Sequence, residues 1–327
     1  MKKSHLDVLV IGSPCLDIIF GGMPHWPVLG QEMYVANFAI SVGAVFNTAA
    51  TLTRLGMRVG ILCELGNDFA SRFILEEIEK AGIRSDFILM RDYPLRTVTV
   101  SLAYEGERGF VSYADAHPNL STQKIERISP YDSPQAAWDV DELMLSLKQA
   151  LAVDDFDAVF MYAYSAMQPL LQVLIEHREL PIFLDVGWYP NDLGESSMSA
   201  ILKYGTFLMP NLAEAAVITG KQAPEEAVRL LSKMVPTAIV KMGARGVVAC
   251  QRGQLTYCSA LPVKDVIDST GAGDAFNGGF IYGILKGYSL DDALRCGTIC
   301  GGLSTTALSG TAAIPKAEEL EQLRVHL

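Results

Sequence analysis

The sequence of 327 residues lacks the patterns that mark several classes of protein. Its six cysteines form no C-x-x-C pair and its five histidines show no H-E-x-x-H spacing, so the usual patterns of redox and zinc proteins are missing. Lysine and arginine number 26 against 37 acidic residues, which gives a net charge of −11, and no basic run occurs. Because phosphate backbones bind clustered basic side chains, this composition excludes a nucleic-acid partner.

Signals for export or membrane insertion are also missing. Asp7 interrupts the apolar stretch near the start of the chain, which is then too short for a signal-peptide core of about 7–15 residues. Residues 296–315 carry no charge, but they are mainly Gly, Ser, Thr and Ala rather than Leu and Ile. We therefore expect a soluble, cytoplasmic protein without a membrane partner.

The chain is rich in apolar residues, at 50% hydrophobic and 19% charged, which supports a large core. From residue 158 onward, short apolar runs alternate with helical patterns, and residues 59–65 read as one earlier strand. This alternation predicts an α/β fold with a mostly parallel sheet covered on both faces. The β-rich segments 17–40 and 97–113 do not fit it and are expected to meet as a small accessory sheet. Residues 115–140, polar and rich in Pro and Ser, predict a surface loop.

The strongest functional signal is the segment D-S-T-G-A-G-D-A-F-N-G-G at 268–279, which joins a β-rich stretch to a predicted helix at 273–286. Gly271 and Gly273 carry no side chains that would block the backbone amides, and Asp274 stands where the helix begins. Unpaired N–H groups and the helix dipole make such a terminus a binding site for anions. The alternative interpretation is that Asp274 is only a helix N-cap.

Two common phosphate-binding motifs do not account for this segment. A G-x-G-x-x-G dinucleotide fingerprint would need glycine where Phe276 stands, which disfavours a dinucleotide-dependent oxidoreductase. A Walker A sequence, G-x-x-x-x-G-K-[ST], is absent from the chain. The phosphate site predicted here is therefore of another type.

Five segments resemble, in order, the motifs of the PfkB (ribokinase-like) family of carbohydrate and nucleoside kinases. Each match is weak alone, but five in the family's order, covering nearly the whole chain, are specific. The segments are G-S-P-C-L-D at 12–17, G-A-V-F-N-T-A at 43–49, N-L-A-E at 211–214, K-M-G-A-R-G at 241–246 and the segment at 268–279. The resemblance implies a three-layer α/β/α ribokinase-like fold with a small β-sheet lid.

The resemblance also implies a reaction, the transfer of the γ-phosphoryl group of ATP to a hydroxyl of a small substrate. Asp274 would be the general base that takes the hydroxyl proton. The backbone N–H groups of Gly271, Ala272 and Gly273 would form an anion hole for the charge that builds on the phosphate.

Further residues match family positions that bind the nucleotide and its metal ion. Asn211 and Glu214 would help to order Mg²⁺, with Glu214 acting through water; the alternative is a helix cap followed by a solvated helix face. The remaining nucleotide-binding candidates are Lys241, Gly243, Gly246, Ala307 and Gly310. For Ala307 and Gly310, which would pack under the adenine, ordinary helix and loop packing is the alternative.

The N-terminal motifs imply a substrate site. Asp17, Gly43 and Asn47 would hold substrate hydroxyls, because a carboxylate accepts from a diol and an amide both donates and accepts. The alternatives are a turn residue for Asp17 and a helix cap for Asn47. Asp268 lies where relatives often hold a monovalent cation, so K⁺ is a further expected ligand.

The resemblance divides the chain into a main α/β domain, residues 1–16, 41–96 and 114–327, and a β lid, residues 17–40 and 97–113. A lid of this kind often pairs between subunits, so a homodimer through the lid is expected.

Departures from the motifs bear on the substrate. Val42 replaces a motif glycine and would narrow the pocket, and Ala44 stands where relatives acting on phosphorylated sugars often carry lysine. An unphosphorylated sugar or sugar-like substrate is therefore expected. The alternatives are a nucleoside kinase, whose base would need an aromatic pocket, and a catalytically silent sensor of sugar or nucleotide. The aromatic candidates for that pocket are Phe20, Trp26, Phe38 and Phe110.

Overall fold

Strands and helices alternate along the part of the chain that the computed structural model describes, residues 4–104, 107–115, 139–177, 179–188 and 193–326. The strands are β1 (Ser4–Ile11), β2 (Pro14–Gly21), β3 (Asn37–Ala44), β4 (Val59–Leu62), β5 (Glu64–Leu65), β6 (Leu89–Met90), β7 (Thr97–Tyr104), β8 (Glu107–Ala114), β9 (Asp154–Tyr162), β10 (Ile182–Asp185), β11 (Phe207–Leu208), β12 (Thr237–Lys241), β13 (Val247–Gln251) and β14 (Gln254–Cys258). The α-helices are α1 (Val45–Arg54), α2 (Phe69–Lys80), α3 (Val140–Val153), α4 (Gln168–His177), α5 (Glu195–Leu202), α6 (Leu212–Thr219), α7 (Pro224–Leu231), α8 (Ala272–Leu285), α9 (Leu290–Ser304) and α10 (Ala317–His326).

The large sheet has the strand order β14-β13-β12-β11-β10-β9-β1-β4. Its strands from β4 to β12 pair in parallel, and β13 and β14 are antiparallel at one edge. Alternate side chains of β1 enter opposite cores: Leu9 and Ile11 pack with helices α3–α7, whereas Val8 and Val10 pack with α1, α2 and α8–α10. The predicted three-layer fold is confirmed.

Helix α2 shows how local sequence sets an element of this fold. Asp68 caps its start by accepting a hydrogen bond from the Ser71 N–H at 3.0 Å. Ala70, Ile74 and Ile78 recur every four residues and are buried. Gly82 then takes a left-handed φ of +74°, which ends the helical stretch.

Two secondary-structure predictions were wrong. Helix α3 was missed; it begins at the cap residue Asp139, buries Leu143 and Leu147, and leads directly into β9, which starts four residues earlier than expected. The segment 59–65 forms two strands rather than one, β4 and β5. The reason is that the buried Glu64 forms an ion pair with Arg91, next to β6, and β5 pairs with β6 instead of continuing β4. Most of the predicted loop at 115–140 lies outside the described residues.

The two β-rich segments that did not fit the alternation form a separate four-stranded sheet, in the order β3-β2-β7-β8. The register gives this lid sheet two different faces, because successive side chains of a strand alternate. The face that carries Asp17 is mainly polar and is called here the inner face; its other members include Ser41, Thr99, Ser101, Arg108, Phe110 and Ser112. The outer face carries Leu16, Ile18, Phe20, Phe38, Ile40, Val98, Val100, Val111 and Tyr113.

None of the described helices has the length and hydropathy that crossing a bilayer requires.

Candidate active site

A left-handed glycine begins helix α8 and turns the first helical residues toward a large cavity. Gly271 is the N-cap, with φ +73°, and no side chain caps the helix. A Cβ here would lie 2.6 Å from Asn47 Nδ2 and 2.9 Å from the Cα of Gly310, so the position requires glycine. Asp274 is the third residue of the helix, and the interpretation of Asp274 as its N-cap is wrong.

The first turn of α8 supplies backbone N–H groups at the wall of the cavity. Gly271, Ala272 and Gly273 all line it, and N–H groups in a first helical turn have no intrahelical acceptor. The Ala272 N–H donates to the Ser269 carbonyl at 3.3 Å, which closes the turn. The amides of Gly271 and Gly273 are therefore the better placed of the three to meet an anion.

Each carboxylate oxygen of Asp274 meets a side-chain donor from a different part of the chain. The Tyr162 hydroxyl donates to Oδ1 at 2.6 Å, and Asn47 Nδ2 donates to Oδ2 at 3.4 Å. Burial raises the pKa of Asp274 to about 6, and the negative charge of Asp185 adds to the rise. The hydrogen bonds and the charge of Lys241 oppose it. A carboxyl group with this pKa is ionised at neutral pH and can still accept a proton.

The predicted substrate residues do not line the large cavity, but Asn47 contacts Asp274, which does. Asp17 is buried in the middle of β2 and Asn47 lies within α1, so neither is the turn residue or the cap of the alternative interpretation. Gly43 is required beside them, because a Cβ there would lie 2.1 Å from Asp17 Oδ2. Among the described residues, the buried Oδ1 of Asn47 has no hydrogen-bond donor. An unsatisfied acceptor of this kind is placed to receive a ligand hydroxyl.

The Asp17 carboxyl is electrostatically similar to that of Asp274. Burial raises the pKa of Asp17 to about 6, and the charges of Asp274 and Asp268 raise it further, whereas a hydrogen bond from Cys15 lowers it. Cys15 Sγ lies 3.1 Å from Asp17 Oδ1. Two buried carboxyl groups that interact in this way favour a ligand that donates hydrogen bonds to both.

The large cavity, of about 1080 Å³, contains most of the predicted nucleotide residues. It is lined by Asn211, Glu214, Lys241, Gly243, Gly246 and residues 271–274. Asn211 caps α6 by accepting from the Glu214 N–H, and the Glu214 carboxylate accepts from the Asn211 N–H at 2.7 Å. The alternative interpretation, a cap followed by a solvated helix face, is correct for Asn211, which is a helix cap. It is wrong for Glu214, which is only 7% exposed. Burial and then the charge of Asp185 raise the pKa of Glu214.

Lys241 places a positive charge inside the cavity, beside the first turn of α8. Its Nζ donates to Asp185 Oδ2 at 2.7 Å and to Asn277 Oδ1 at 3.3 Å, and Asn277 Nδ2 also donates to Asp185 at 2.6 Å. A Cβ added to Gly273 would lie 3.2 Å from Lys241 Nζ, so the ammonium group stands next to the proposed anion hole.

Asp268 has a different environment from Asp274, although it precedes Asp274 by only six positions in the sequence. Its oxygens accept the N–H groups of Thr270 at 2.8 Å and Ser309 at 3.1 Å, which shape the turn. Arg108 of the lid sheet lies 3.7 Å from Asp268 and donates to Thr270 Oγ1 at 3.0 Å. The lid sheet therefore contacts the turn through a guanidinium group.

Two nucleotide-binding predictions do not fall in the large cavity. Ala307 does not line it, and Gly310 instead packs against Asn47, where a Cβ would lie 2.9 Å from Nδ2. The cavity wall on this side comes from earlier residues of the small-residue run and from the loop after β14. These residues are Thr298, Gly301, Gly302 and Thr305 from the run, and Leu261, Val263 and Val266 from the loop.

Sequence reasoning missed four polar residues of the site, Tyr162, Asp185, Arg108 and Asn277. A signal existed for two of them, because Tyr162 and Asp185 stand at the carboxyl ends of adjacent parallel strands, where open α/β sheets bind ligands. Arg108 had no such signal: it becomes part of the site through the packing of the lid.

The chain matches one family of known proteins over most of its length. The model of the pfkB family of carbohydrate kinases matches residues 9–317. Ribokinase of Haemophilus influenzae is 25% identical over 334 residues, covering 100% of both chains. The chain belongs to the pfkB family of carbohydrate kinases, and it is accordingly an enzyme of that class.

Solved structures show the same fold at low sequence identity. Arabidopsis thaliana ribokinase, solved in complex with ribose and ATP, superposes with a TM-score of 0.74 at 20% identity, covering 98% of this chain and 99% of that one. A putative ribokinase II from Escherichia coli, solved with ATP and Mg²⁺, also has a TM-score of 0.74 at 20% identity and covers 98% of this chain and 100% of its own.

Proposed function

We propose that this kinase transfers the γ-phosphoryl group of ATP to a hydroxyl of a small unphosphorylated sugar or sugar-like substrate, with Asp274 as general base. The position of Asp274 carries the proposal: it lines the large cavity, Asn47 of the proposed substrate site donates to its Oδ2, and Asp17 interacts with it electrostatically. A carboxylate that meets both sites can take the proton of the attacking hydroxyl as the phosphoryl group arrives.

The large cavity is assigned to ATP. Its volume, about 1080 Å³, is at the upper end of the range for small-molecule pockets. Anion recognition there depends on the Gly271 and Gly273 amides and on Lys241 rather than on a basic surface, which is compatible with the acidic chain. Gly243 and Gly246, both with positive φ, shape the loop on the opposite wall.

Mg²⁺ fits the acidic side of the cavity. Asp185 and Glu214 are buried carboxyl groups, and the charge of Asp185 raises the pKa of Glu214, so a divalent cation near them would relieve repulsion. Glu214 would hold the ion through water, because its Oε2 already accepts the Asn211 N–H. When bound, the ion neutralises charge on the phosphates of ATP.

The K⁺ site at Asp268 stays a prediction, and the side chain itself fits it poorly. Both carboxylate oxygens accept backbone amides, and the Arg108 guanidinium lies 3.7 Å away. No step of the proposed reaction depends on K⁺.

The inner face of the lid favours a sugar over a nucleoside. Thr99, Ser101 and Ser112 line the register positions around Asp17, and hydroxyl-bearing side chains suit a polyol. Phe20 and Phe38 pair on the outer face with ring centroids 5.6 Å apart. Trp26 packs against Gly109 on the outer face as well. Of the four aromatic candidates for a nucleoside pocket, Phe110 is therefore the one whose register places it on the inner face.

We also propose that the lid, residues 17–40 and 97–113, pairs two subunits through its outer face. Ile40, Phe38, Val111 and Tyr113 are between 48% and 65% exposed there. Apolar side chains grouped on one sheet face with this exposure are typical of an interaction surface. A second copy would present the same face, as a two-fold symmetric dimer requires.

Replacing Asp274 with Asn tests the function. The variant is expected to lose at least about 100-fold in turnover with Mg-ATP and the best sugar of a panel, because a positioned base contributes about 10²–10⁴. Its affinity for ATP should change less than about threefold. Asp291→Asn, an exposed first-turn aspartate of α9, is the matched control. Near-normal turnover of Asp274→Asn would contradict the proposal, and no turnover of the wild type on any sugar or nucleoside would favour the sensor.

The pKa of Asp274 gives the same test a pH dependence. The base acts only when ionised, so turnover should rise with pH through about 6 and then level off. Because folding raises the pKa of Asp274, the ionised carboxyl group destabilises the folded state. This destabilisation is complete above pH about 6 and absent below about 4, the pKa of the group in the unfolded chain. Asp274→Asn is therefore expected to unfold no more easily than the wild type at pH 7.5, as a thermal melt would show.

A further inference from the structure

The hydroxyl of Tyr162 contacts the proposed base, and neither the motifs nor the assigned function uses it. Tyr162 is the last residue of β9, where its ring packs edge-on against Phe160 with centroids 5.8 Å apart and lies 5.8 Å from the ring of Tyr164. Asp185, its register partner, ends the neighbouring strand β10. The phenol is thus held by the sheet and the aromatic packing rather than by a mobile loop.

The two oxygens of Asp274 are held unequally. Oδ1 receives the short hydrogen bond of 2.6 Å from Tyr162, whereas Oδ2 meets Asn47 Nδ2 only at 3.4 Å. Oδ2 also lies on the side of Asn47, whose own Oδ1 is buried and has no donor among the described residues. Oδ2 is therefore the oxygen that can exchange a weak contact for a substrate hydroxyl.

Tyr162 is suited to donating and not to accepting this proton. Burial, followed by the charges of Asp274 and Asp185, raises the pKa of the Tyr162 phenol well above its ordinary value, so the phenol stays protonated across the working pH range. Donation to a carboxylate stabilises the ionised form. This opposes the burial that would otherwise leave Asp274 protonated.

The charges that face Asp274 come from several elements. Asp17 on β2, Asp185 on β10 and Glu214 on α6 are acidic, and each interacts electrostatically with Asp274. Lys241 on β12 supplies a positive charge, which is shared with Asp185 at 2.7 Å. Because three of these four charged groups are acidic and none is hydrogen-bonded to Asp274, the neutral donors Tyr162 and Asn47 orient the carboxylate.

We propose that Tyr162 is a positioning residue, which fixes the Asp274 carboxylate through Oδ1, keeps it ionised and leaves Oδ2 to take the proton of the substrate hydroxyl. The inference rests on the proposed function, since it assigns a partner to the base. The substrate hydroxyl would donate to Asp274 Oδ2 and accept from Asn47 Nδ2, while Asn47 Oδ1 accepts a second hydroxyl.

Tyr162→Phe removes the hydroxyl and keeps the ring that packs against Phe160. The acidic limb of the profile of kcat against pH is expected to move up by about half to one pH unit, because the ionised form loses a donor. On the plateau, kcat should fall about 5- to 20-fold as the carboxylate loses its orientation, while KM for ATP stays within about twofold. Tyr282→Phe removes a phenol–carboxylate hydrogen bond of 3.1 Å to Glu321, away from the cavity, and is the matched control.

A titration without turnover separates this inference from the function on which it rests. With ¹³C-carboxyl-labelled aspartate, the Asp274 resonance is assigned from its loss in Asp274→Asn and titrated in the wild type and in Tyr162→Phe. The inference is supported if Tyr162→Phe raises the pKa of Asp274 by the same amount in the titration of the resonance and in the acidic limb of the kcat profile. It is overturned if the pKa from the resonance is the same in the variant and the wild type, whatever the activity. If Asp274→Asn stays active, the proposed base is wrong, and the assignment of Tyr162 as its positioning residue fails with it.

Discussion

The two faces of the lid sheet are built from the same four strands, yet their chemistry is opposite. The inner face carries Asp17 and a group of hydroxyl side chains, and Arg108 reaches from it to the turn before α8. The outer face carries valine, isoleucine and phenylalanine, and four of its side chains, Phe38, Ile40, Val111 and Tyr113, are exposed. Because side chains alternate along a strand, a one-residue change of register would exchange the two faces. One small sheet therefore offers a polar face to the proposed sugar and an apolar face to the proposed second subunit.

The largest effect is expected on the inner face, at Asp17. Asp17→Asn should lower kcat/KM for the sugar about 100-fold, because hydrogen bonds to a charged acceptor contribute about 1.5–3 kcal/mol each and every 1.4 kcal/mol is a factor of ten. Steady-state kinetics with varied sugar and fixed Mg-ATP measures this, and KM for ATP should stay within about twofold. An equal loss in Asp291→Asn, or none in Asp17→Asn, would remove Asp17 from the substrate site.

A change on the outer face should alter assembly instead. Val111→Asp puts a charge at a position that is 65% exposed in the single chain, and burying that charge between two lids would be costly. The dimer dissociation constant is expected to rise at least about tenfold, measured by sedimentation velocity over a dilution series. Val325→Asp, on α10 and 71% exposed, is the control that should keep the wild-type constant. A monomeric wild type, or a Val111→Asp dimer of unchanged strength, would contradict pairing through the lid.

The smallest effect is expected when two neighbouring residues of one strand, one on each face of the lid, are substituted. Thr99 on the inner face shares a hydrogen bond of 2.9 Å with Ser112, whereas Val100 lies on the outer face. Thr99→Val should raise KM for the sugar about 3- to 10-fold through the loss of one neutral hydrogen bond. Val100→Thr is the reverse substitution between the same two side chains, which are similar in size. It should leave the KM for the sugar unchanged. Equal effects of the two substitutions would show that the faces do not differ in substrate contact.

The sequence predicted those features that depend on local conformation. Gly271 takes a left-handed φ, which glycine adopts most readily, so the Gly-rich turn could be located from the local sequence. The alternation of apolar runs with helical patterns predicted the layered sheet, and the five motifs predicted the family. Helix α3 was missed because its apolar residues, such as Leu143 and Leu147, lie next to a polar segment that looked like loop.

What the sequence by itself determined is the type of fold, the Gly-rich turn before α8 and the presence of a carboxylate in the first turn of that helix. The tertiary structure alone decided what surrounds that carboxylate. Tyr162 is 112 residues from Asp274 in sequence, Asn47 is 227 residues away, and Lys241 meets an aspartate 56 residues distant. The strand order brings Tyr162, Asp185 and Lys241 to the carboxyl edge of the sheet. Helices α1 and α8 bring Asn47 and Asp274 to the same place. The ionisation of Asp274 depends on burial and on neighbouring charges in space, and neither can be read from distance along the chain.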